Sequence, residues 1–166
     1  MRGVGEEVLR RPPVQGAWTP LQTLHHIHLV ERVSVDYLLY KLDTGAEAPP
    51  TRLAERLRGK VVVAALMSPV KFKAPEETDS RLLPKASRPD IDQLAYELFA
   101  TRGELERLIN KLPPSWNKGA AFKHVSGRMS LNDMMLFLLA HQHRHTKQIK
   151  RGLAQNTRYY RRKKAR

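Results

Sequence analysis

A long stretch near the start of the chain has the apolar period of an α-helix. It runs from Trp18 to Gly45: Thr19 is a good N-cap, Pro20 suits the first turn, and the glycine follows the end. His25 shares a face with charged residues and is predicted to point outward. The inward face is predicted from a stripe at helical spacing: His26, Val30, Val33, Tyr37 and Tyr40.

Two further stretches predict long helices, and a third is weaker. Asp90 can cap a helix over residues 91–112, and Ser130 can cap one over residues 131–152. Residues 51–67 also fit a helix, although the β-branched run at 61–63 allows a strand. Since helix follows helix without a partner strand, we expect one all-α bundle domain over residues 1–157.

The segments between these helices predict turns and surface connections. A short helix begun near Val4 is stopped by Pro12 and Pro13, so only a stub precedes Trp18. Residues 69–89 are rich in proline and charge and predict a long surface loop, while residues 115–129 predict a link to the last helix.

Charge and composition limit the function classes. The 166 residues carry a formal net charge of +14, and residues 158–166 hold six basic residues and no acid. That segment predicts a disordered basic tail, which is either simply solvated or able to bind nucleic acid nonspecifically. The sequence shows neither a signal peptide nor a membrane-spanning run, so we expect a cytoplasmic protein without a membrane partner.

Histidines on the last helix suggest a metal site. With no cysteine in the chain, histidine and carboxylate are the available ligands. His141 and His145 are four residues apart and share a helix face with Gln148, whereas His143 points the other way. The inward-facing His26 is a candidate third ligand, and three imidazoles suit Zn, Ni or Fe. The alternative is that these histidines are hydrogen-bonded structural residues.

Several motifs in this order resemble the DinB-like superfamily over about residues 16–153. They are the Trp18-Thr-Pro-Leu start followed by His26 and Glu31, the His124-x-x-Gly127 element, and the closing run His141-x-x-Arg144-His145-x-x-Gln148-Ile149. The resemblance implies an up-down-down-up four-helix bundle in which His26, His141 and His145 bind a divalent metal. It also implies a relation to thiol S-transferases and isomerases that use bacillithiol, mycothiol or glutathione.

The resemblance implies a chemistry with several alternatives. A cysteine-free protein would take its thiolate from a low-molecular-weight thiol, which attacks an electrophile. Gln148 would orient a ligand or bind the substrate, and the alternative is a structural hydrogen bond on the helix face. A metal-dependent hydrolase would use the same ligands, and a non-enzymatic nucleic-acid-binding protein would use the basic residues instead.

The resemblance also implies a truncated first helix, because only the stub precedes Trp18. The inner faces of the helices at 18–42 and 131–152 would then be partly bare. We therefore expect a homodimer that completes the bundle, with cover by the loop at 69–89 or a natural start upstream of Met1 as the alternatives.

Overall fold

The structure is a computed structural model, and it describes residues 5–45, 50–68, 82–84, 90–117, 120–124 and 127–165. The expected surface loop at 69–89 lies mostly outside the described residues. The elements are helices α1 (Glu6–Arg10), α2 (Pro20–Asp43), α3 (Leu53–Met67) and α4 (Ile91–Ile109), strands β1 (Ala120–His124) and β2 (Gly127–Ser130), and helix α5 (Leu131–Lys164).

The three predicted helix starts are confirmed by their capping hydrogen bonds. Thr19 Oγ1 accepts from the Gln22 backbone N–H at 3.0 Å, and the Gln22 side chain accepts from the Thr19 N–H at 2.9 Å. Asp90 caps α4 through Oδ1, and Ser130 Oγ accepts from the Asp133 N–H at 3.1 Å. Each bond satisfies a backbone donor that a helix start leaves without an intrahelical partner, so local sequence fixes where these helices begin.

The helices pack into an all-α bundle, as predicted. Helix α2 lies between α4 and α5, and α3 packs along α5 and contacts β2. The residues at 51–67 form a helix and not a strand. The largest core cluster draws side chains from α2, α3, α4 and α5, including Val35, Leu38, Leu66, Leu105, Leu108, Met134 and Leu138.

A two-stranded hairpin replaces the irregular link that was expected before the last helix. Strands β1 and β2 pair antiparallel, with His124 opposite Gly127. Gly127 has a φ of 112°, a conformation that residues with a Cβ rarely adopt. The glycine of the His124-x-x-Gly127 element is therefore explained by the geometry of the hairpin.

The first helix is short, as predicted, but the inner faces of α2 and α5 are not bare. Helix α3 contributes Leu66 to the central cluster, and Val62 and Val63 pack against it. The argument that a missing helix leaves these faces exposed is therefore wrong, because the helix predicted at residues 51–67 packs along α5 and into the central cluster. The homodimer was expected because these faces would be bare, so the expectation requires a different observation.

Helix α5 continues through the segment that was expected to be a disordered tail. It remains helical to Lys164, twelve residues beyond Gly152. The buried Asn156 side chain donates hydrogen bonds to the carbonyls of Val8 and Arg11 at 2.8 and 2.7 Å, and the Arg11 guanidinium lies 3.5 Å from the Tyr159 ring centroid. The N-terminal segment thus packs against the later turns of α5, which good helix formers then extend.

Gly152 does not end α5 but lets it approach the start of α2 closely. A Cβ on this glycine would lie 3.2 Å from Cγ of Pro20 and 3.7 Å from Cγ of Pro13. The absence of a side chain therefore allows α5 to pack against the first turn of α2, close to the histidines described next.

Candidate metal centre

Three histidines from two helices converge between α2 and α5. His26, His141 and His145 each offer a ring nitrogen, and these nitrogens all lie within 4.8 Å of one another. His26 and His141 are 8% and 7% exposed, and His145 is partly buried. The cluster is the one predicted from helical phase. His143 is exposed and outside it, as expected, whereas His25 is half-buried and less outward than predicted.

His26 is held in one tautomer by a backbone carbonyl. Its Nδ1–H donates a hydrogen bond to the carbonyl oxygen of Leu82 at 2.6 Å. A carbonyl only accepts, so the proton of the neutral ring lies on Nδ1 and the lone pair lies on Nε2. That Nε2 atom is 3.1 Å from Nε2 of His141. The lone pair of His26 is therefore directed at the second histidine.

This separation fits two ligands of one ion. Two nitrogens at about 2.0–2.1 Å from a metal are about 2.9 Å apart at a right angle and about 3.4 Å apart at the tetrahedral angle. The observed 3.1 Å between the Nε2 atoms of His26 and His141 falls between these limits. Neutral imidazoles with one nitrogen fixed by a hydrogen bond are also the usual donors at histidine metal sites. The residues present therefore fit a divalent cation.

His145 is oriented by a two-step hydrogen-bond chain. Its Nδ1–H donates to Oε1 of Gln148 at 3.0 Å, and Nε2 of Gln148 donates to Oγ1 of Thr23 at 3.4 Å. The chain connects α5 to α2 and leaves the other ring nitrogen of His145 as the acceptor. Gln148, predicted to orient a ligand or to bind substrate, therefore contacts the candidate ligand His145.

Two aromatic side chains lie beside the cluster. The ring centroid of Trp18 is 4.9 Å from that of His26, and Phe137 stacks on His141 with centroids 5.6 Å apart. These rings limit how far the imidazoles can rotate, so they help to keep the three ligands facing one another.

Burial favours the neutral form of two of the three histidines. Burial lowers the pKa of His145 to about 4, with a smaller lowering from the charges of His26 and Arg144 and an opposing effect of the Gln148 hydrogen bond. Burial also lowers the pKa of His26, partly offset by its bond to Leu82. A lowered pKa favours the neutral imidazole, which is the form that binds metal.

Glu31, the acid of the first motif, has a structural role. It is 5% exposed, and its carboxylate accepts two hydrogen bonds from Arg102 of α4, at 2.9 and 2.8 Å. The paired geometry compensates the cost of burying the carboxylate and joins α2 to α4. Among the described residues, the candidate metal ligands are therefore histidines alone.

Comparison with known proteins agrees with this fold. The chain matches the model of the DinB superfamily over residues 1–149, which is most of its length. It belongs to the DinB superfamily. Searches of curated proteins and of solved structures gave no match. No helix in the described part of the chain combines the length and the apolar character needed to cross a lipid bilayer.

We predict that Gln148→Ala weakens zinc binding by roughly 10- to 100-fold, the usual range for a residue that orients a metal-bound histidine. Loss of the bond to Nδ1 lets the His145 ring rotate and removes its preference for one tautomer. The measurement is competition with a chelator of known affinity. Gln155→Ala is the matched control, because Gln155 is an exposed glutamine on the same helix. Equal affinities of the two variants would show that Gln148 does not position His145.

Proposed function

We propose that this protein is a divalent-metal-dependent enzyme that transfers a low-molecular-weight thiol to an electrophile. Membership of the DinB superfamily and the three-histidine cluster fit a metal-dependent enzyme. The observation that carries the proposal is the orientation of His26 and His145, whose Nδ1 protons are donated away from the cluster. That arrangement holds neutral donors ready for a Zn, Ni or Fe ion.

A bound divalent metal would lower the pKa of a coordinated thiol and so supply a thiolate near neutral pH. The protein contains no cysteine, so the thiol must enter as a cosubstrate. In the proposed reaction the thiol sulfur forms a C–S bond at the electrophilic carbon. With an aryl halide, the halide leaves with the electron pair and the thiol proton passes to solvent. With an epoxide, the ring C–O bond breaks and its oxygen takes the electron pair and a proton; with a quinone, the C=C electron pair passes to the carbonyl oxygen, which takes a proton. No oxidant or reductant is needed.

The protein's own side chains would orient the ligands and exclude water. Leu82 fixes the imidazole of His26 through Nδ1, and Gln148 fixes that of His145 in the same way. The ring of Trp18 lies beside His26, and that of Phe137 stacks on His141. Such apolar rings lower the local dielectric constant, which strengthens the interaction of the site with negative charge that develops during the reaction. Low-molecular-weight thiols are kept reduced in the cytoplasm, which is the compartment that we propose.

The test combines metal-loaded protein with glutathione, bacillithiol or mycothiol and an aryl halide, an epoxide or a quinone. We expect thiol consumption matched by formation of the thioether adduct, with loss of activity in His141→Ala and retention in His143→Ala. Conversion of the electrophile to a hydroxylated product without thiol would instead support a hydrolase at the same ligands. Adduct formation at the same rate with His141→Ala would refute catalysis by this site.

We also propose a homodimer, on a basis different from the missing wall. Three apolar side chains on the outer side of α3, Leu53, Leu57 and Val61, are 71%, 55% and 67% exposed and recur every four residues. Such a stripe usually packs against another surface. We predict that sedimentation at micromolar concentration gives a dimer, that Leu57→Glu gives a monomer, and that Tyr96→Glu on α4 has no effect. A wild-type monomer that stays folded and binds no hydrophobic dye would contradict the dimer.

A further inference from the structure

Helix α5 carries an excess of basic residues that have no role in the proposed enzyme reaction. No acidic residue follows Asp133 in the chain, and the part of α5 from Arg144 to Lys164 carries nine basic residues. The last of these belong to residues 158–166, for which the sequence predicts a disordered tail separate from the bundle. Because α5 is one continuous helix, basic residues on the bundle and in the expected tail fall on the same rigid element.

Helical phase gathers most of these charges on one side. At about 100° per residue, seven of the nine lie within about 60° of the direction of Lys147. We call these residues the basic stripe: Arg144, Lys147, Lys150, Arg151, Arg158, Arg161 and Arg162. Within that sector between the first and last of them, Ala154 is the one uncharged residue. The basic stripe spans about 27 Å at 1.5 Å per residue.

The basic stripe faces away from the bundle. Buried residues of the same part of α5, Ile149, Gly152 and Asn156, lie on the opposite side of the helix. Six of the seven stripe residues are exposed, and Arg144 is half-buried, donating to the carbonyl of Ser68 at 3.5 Å. Glu6 of α1 does not neutralise the stripe, since it pairs with Arg10 within α1 itself.

From this geometry we propose that the basic stripe binds the phosphate backbone of double-stranded nucleic acid. A row of mostly exposed cations along one continuous helix complements the regularly spaced phosphates of a duplex. The stripe lacks the apolar side chains with which a basic amphipathic helix inserts into a lipid surface. One face of the Tyr159 ring is covered by Arg11, which argues against base stacking on a single strand. Binding is expected to be independent of base sequence.

The proposal does not depend on the metal centre. His141 and His145 project from the side of α5 that faces α2, away from the basic stripe. Changes at Lys147, Arg151 and Arg158 are therefore expected to leave metal binding unchanged, and the failure of one proposal leaves the other testable.

The experiment measures binding of a 20-base-pair DNA duplex by fluorescence anisotropy between 50 and 200 mM salt, with an RNA duplex of the same sequence as a second probe. The stripe variant carries Lys147→Gln, Arg151→Gln and Arg158→Gln. The control variant carries Arg56→Gln, Arg58→Gln and Lys60→Gln, which removes the same charge from exposed positions of α3. Both variants are first checked for wild-type helicity and thermal midpoint.

We expect the stripe variant to bind at least about tenfold more weakly than the control variant at low salt. Its log–log salt slope is expected to fall by about 2 to 3, as three lost phosphate contacts require. Binding of only one of the two duplexes would also support the proposal, and it would show whether the stripe binds DNA or RNA. Three results would overturn the proposal. They are equal weakening of duplex binding in both variants, loss of duplex binding only when residues 163–166 are deleted, and stronger binding to phosphatidylserine vesicles than to either duplex.

Discussion

Replacing His26, His141 or His145 with alanine is expected to abolish stoichiometric binding of a divalent metal. Each of these side chains supplies one ring nitrogen to a cluster within 4.8 Å, and two neutral imidazoles hold an ion far less tightly than three. We expect affinity for zinc to fall by more than about 100-fold in each variant, beyond the range seen for residues that only orient a ligand. Isothermal titration with zinc measures the loss.

The neighbouring histidines provide controls on the same two helices. His143→Ala and His25→Ala are expected to retain one equivalent of metal, because neither ring joins the cluster. Metal-free samples of all five variants are compared by circular dichroism, so that a folding defect is separated from a lost ligand. Similar losses of affinity in all five would contradict the assignment of the ligands.

The metal-free protein is expected to lose stability as the pH falls from about 6.5 to 4. The unfolded chain protonates His145 near the ordinary pKa of 6.5, whereas burial holds the folded-state pKa at about 4. Since the unfolded state binds the proton first, the stabilisation is present above 6.5 and is lost through this window. The difference corresponds to about 3 kcal/mol for His145 alone. The lowered pKa of His26 acts in the same direction.

Urea unfolding of chelator-treated protein at several pH values measures this effect. His145→Gln is expected to have a shallower dependence than the wild type between pH 6.5 and 4, because the titrating group is gone. His143→Gln, on the exposed side of the same helix, is expected to keep the wild-type dependence. An unchanged pH dependence in His145→Gln would show that the burial of this imidazole does not contribute to stability in this range.

Much of the histidine cluster was predictable because a helix fixes the directions of its side chains. The spacing of His141 and His145 placed both on the buried side of α5, together with Met134 and Leu138, and the structure confirms that face. Capping residues likewise set the starts of the helices. These predictions depend on interactions between residues a few positions apart, which the sequence displays directly.

The buried face of α2 was only partly predicted, because tertiary contacts override the hydrophobic periodicity of the sequence. His26 and Val30 are buried as expected, but Tyr40 is 66% exposed. The buried side instead includes Glu31 and Ser34, which hydrophobic periodicity assigns to no core face. The carboxylate is buried because Arg102 of α4 pairs with it, and the hydroxyl donates to the carbonyl of Val30 at 2.8 Å.

Other features depend on contacts between distant parts of the chain. The carbonyl of Leu82 fixes the tautomer of His26 from 56 positions away, and any residue type can supply a backbone carbonyl. The extension of α5 depends on Asn156 reaching the N-terminal segment. The exposed charges of that extension, taken alone, indicate a solvated tail. The sequence contains no local signal for either contact.

The central claim is that His26, His141 and His145 form one divalent-metal site per chain. Elemental analysis of the purified full chain, repeated after chelation and reloading with zinc, tests it most directly. We predict close to one metal ion per chain in the reloaded wild type and in His143→Ala, and almost none in His141→Ala. Less than about a tenth of an equivalent in the reloaded wild type, or equal metal contents in wild type and His141→Ala, would contradict the claim.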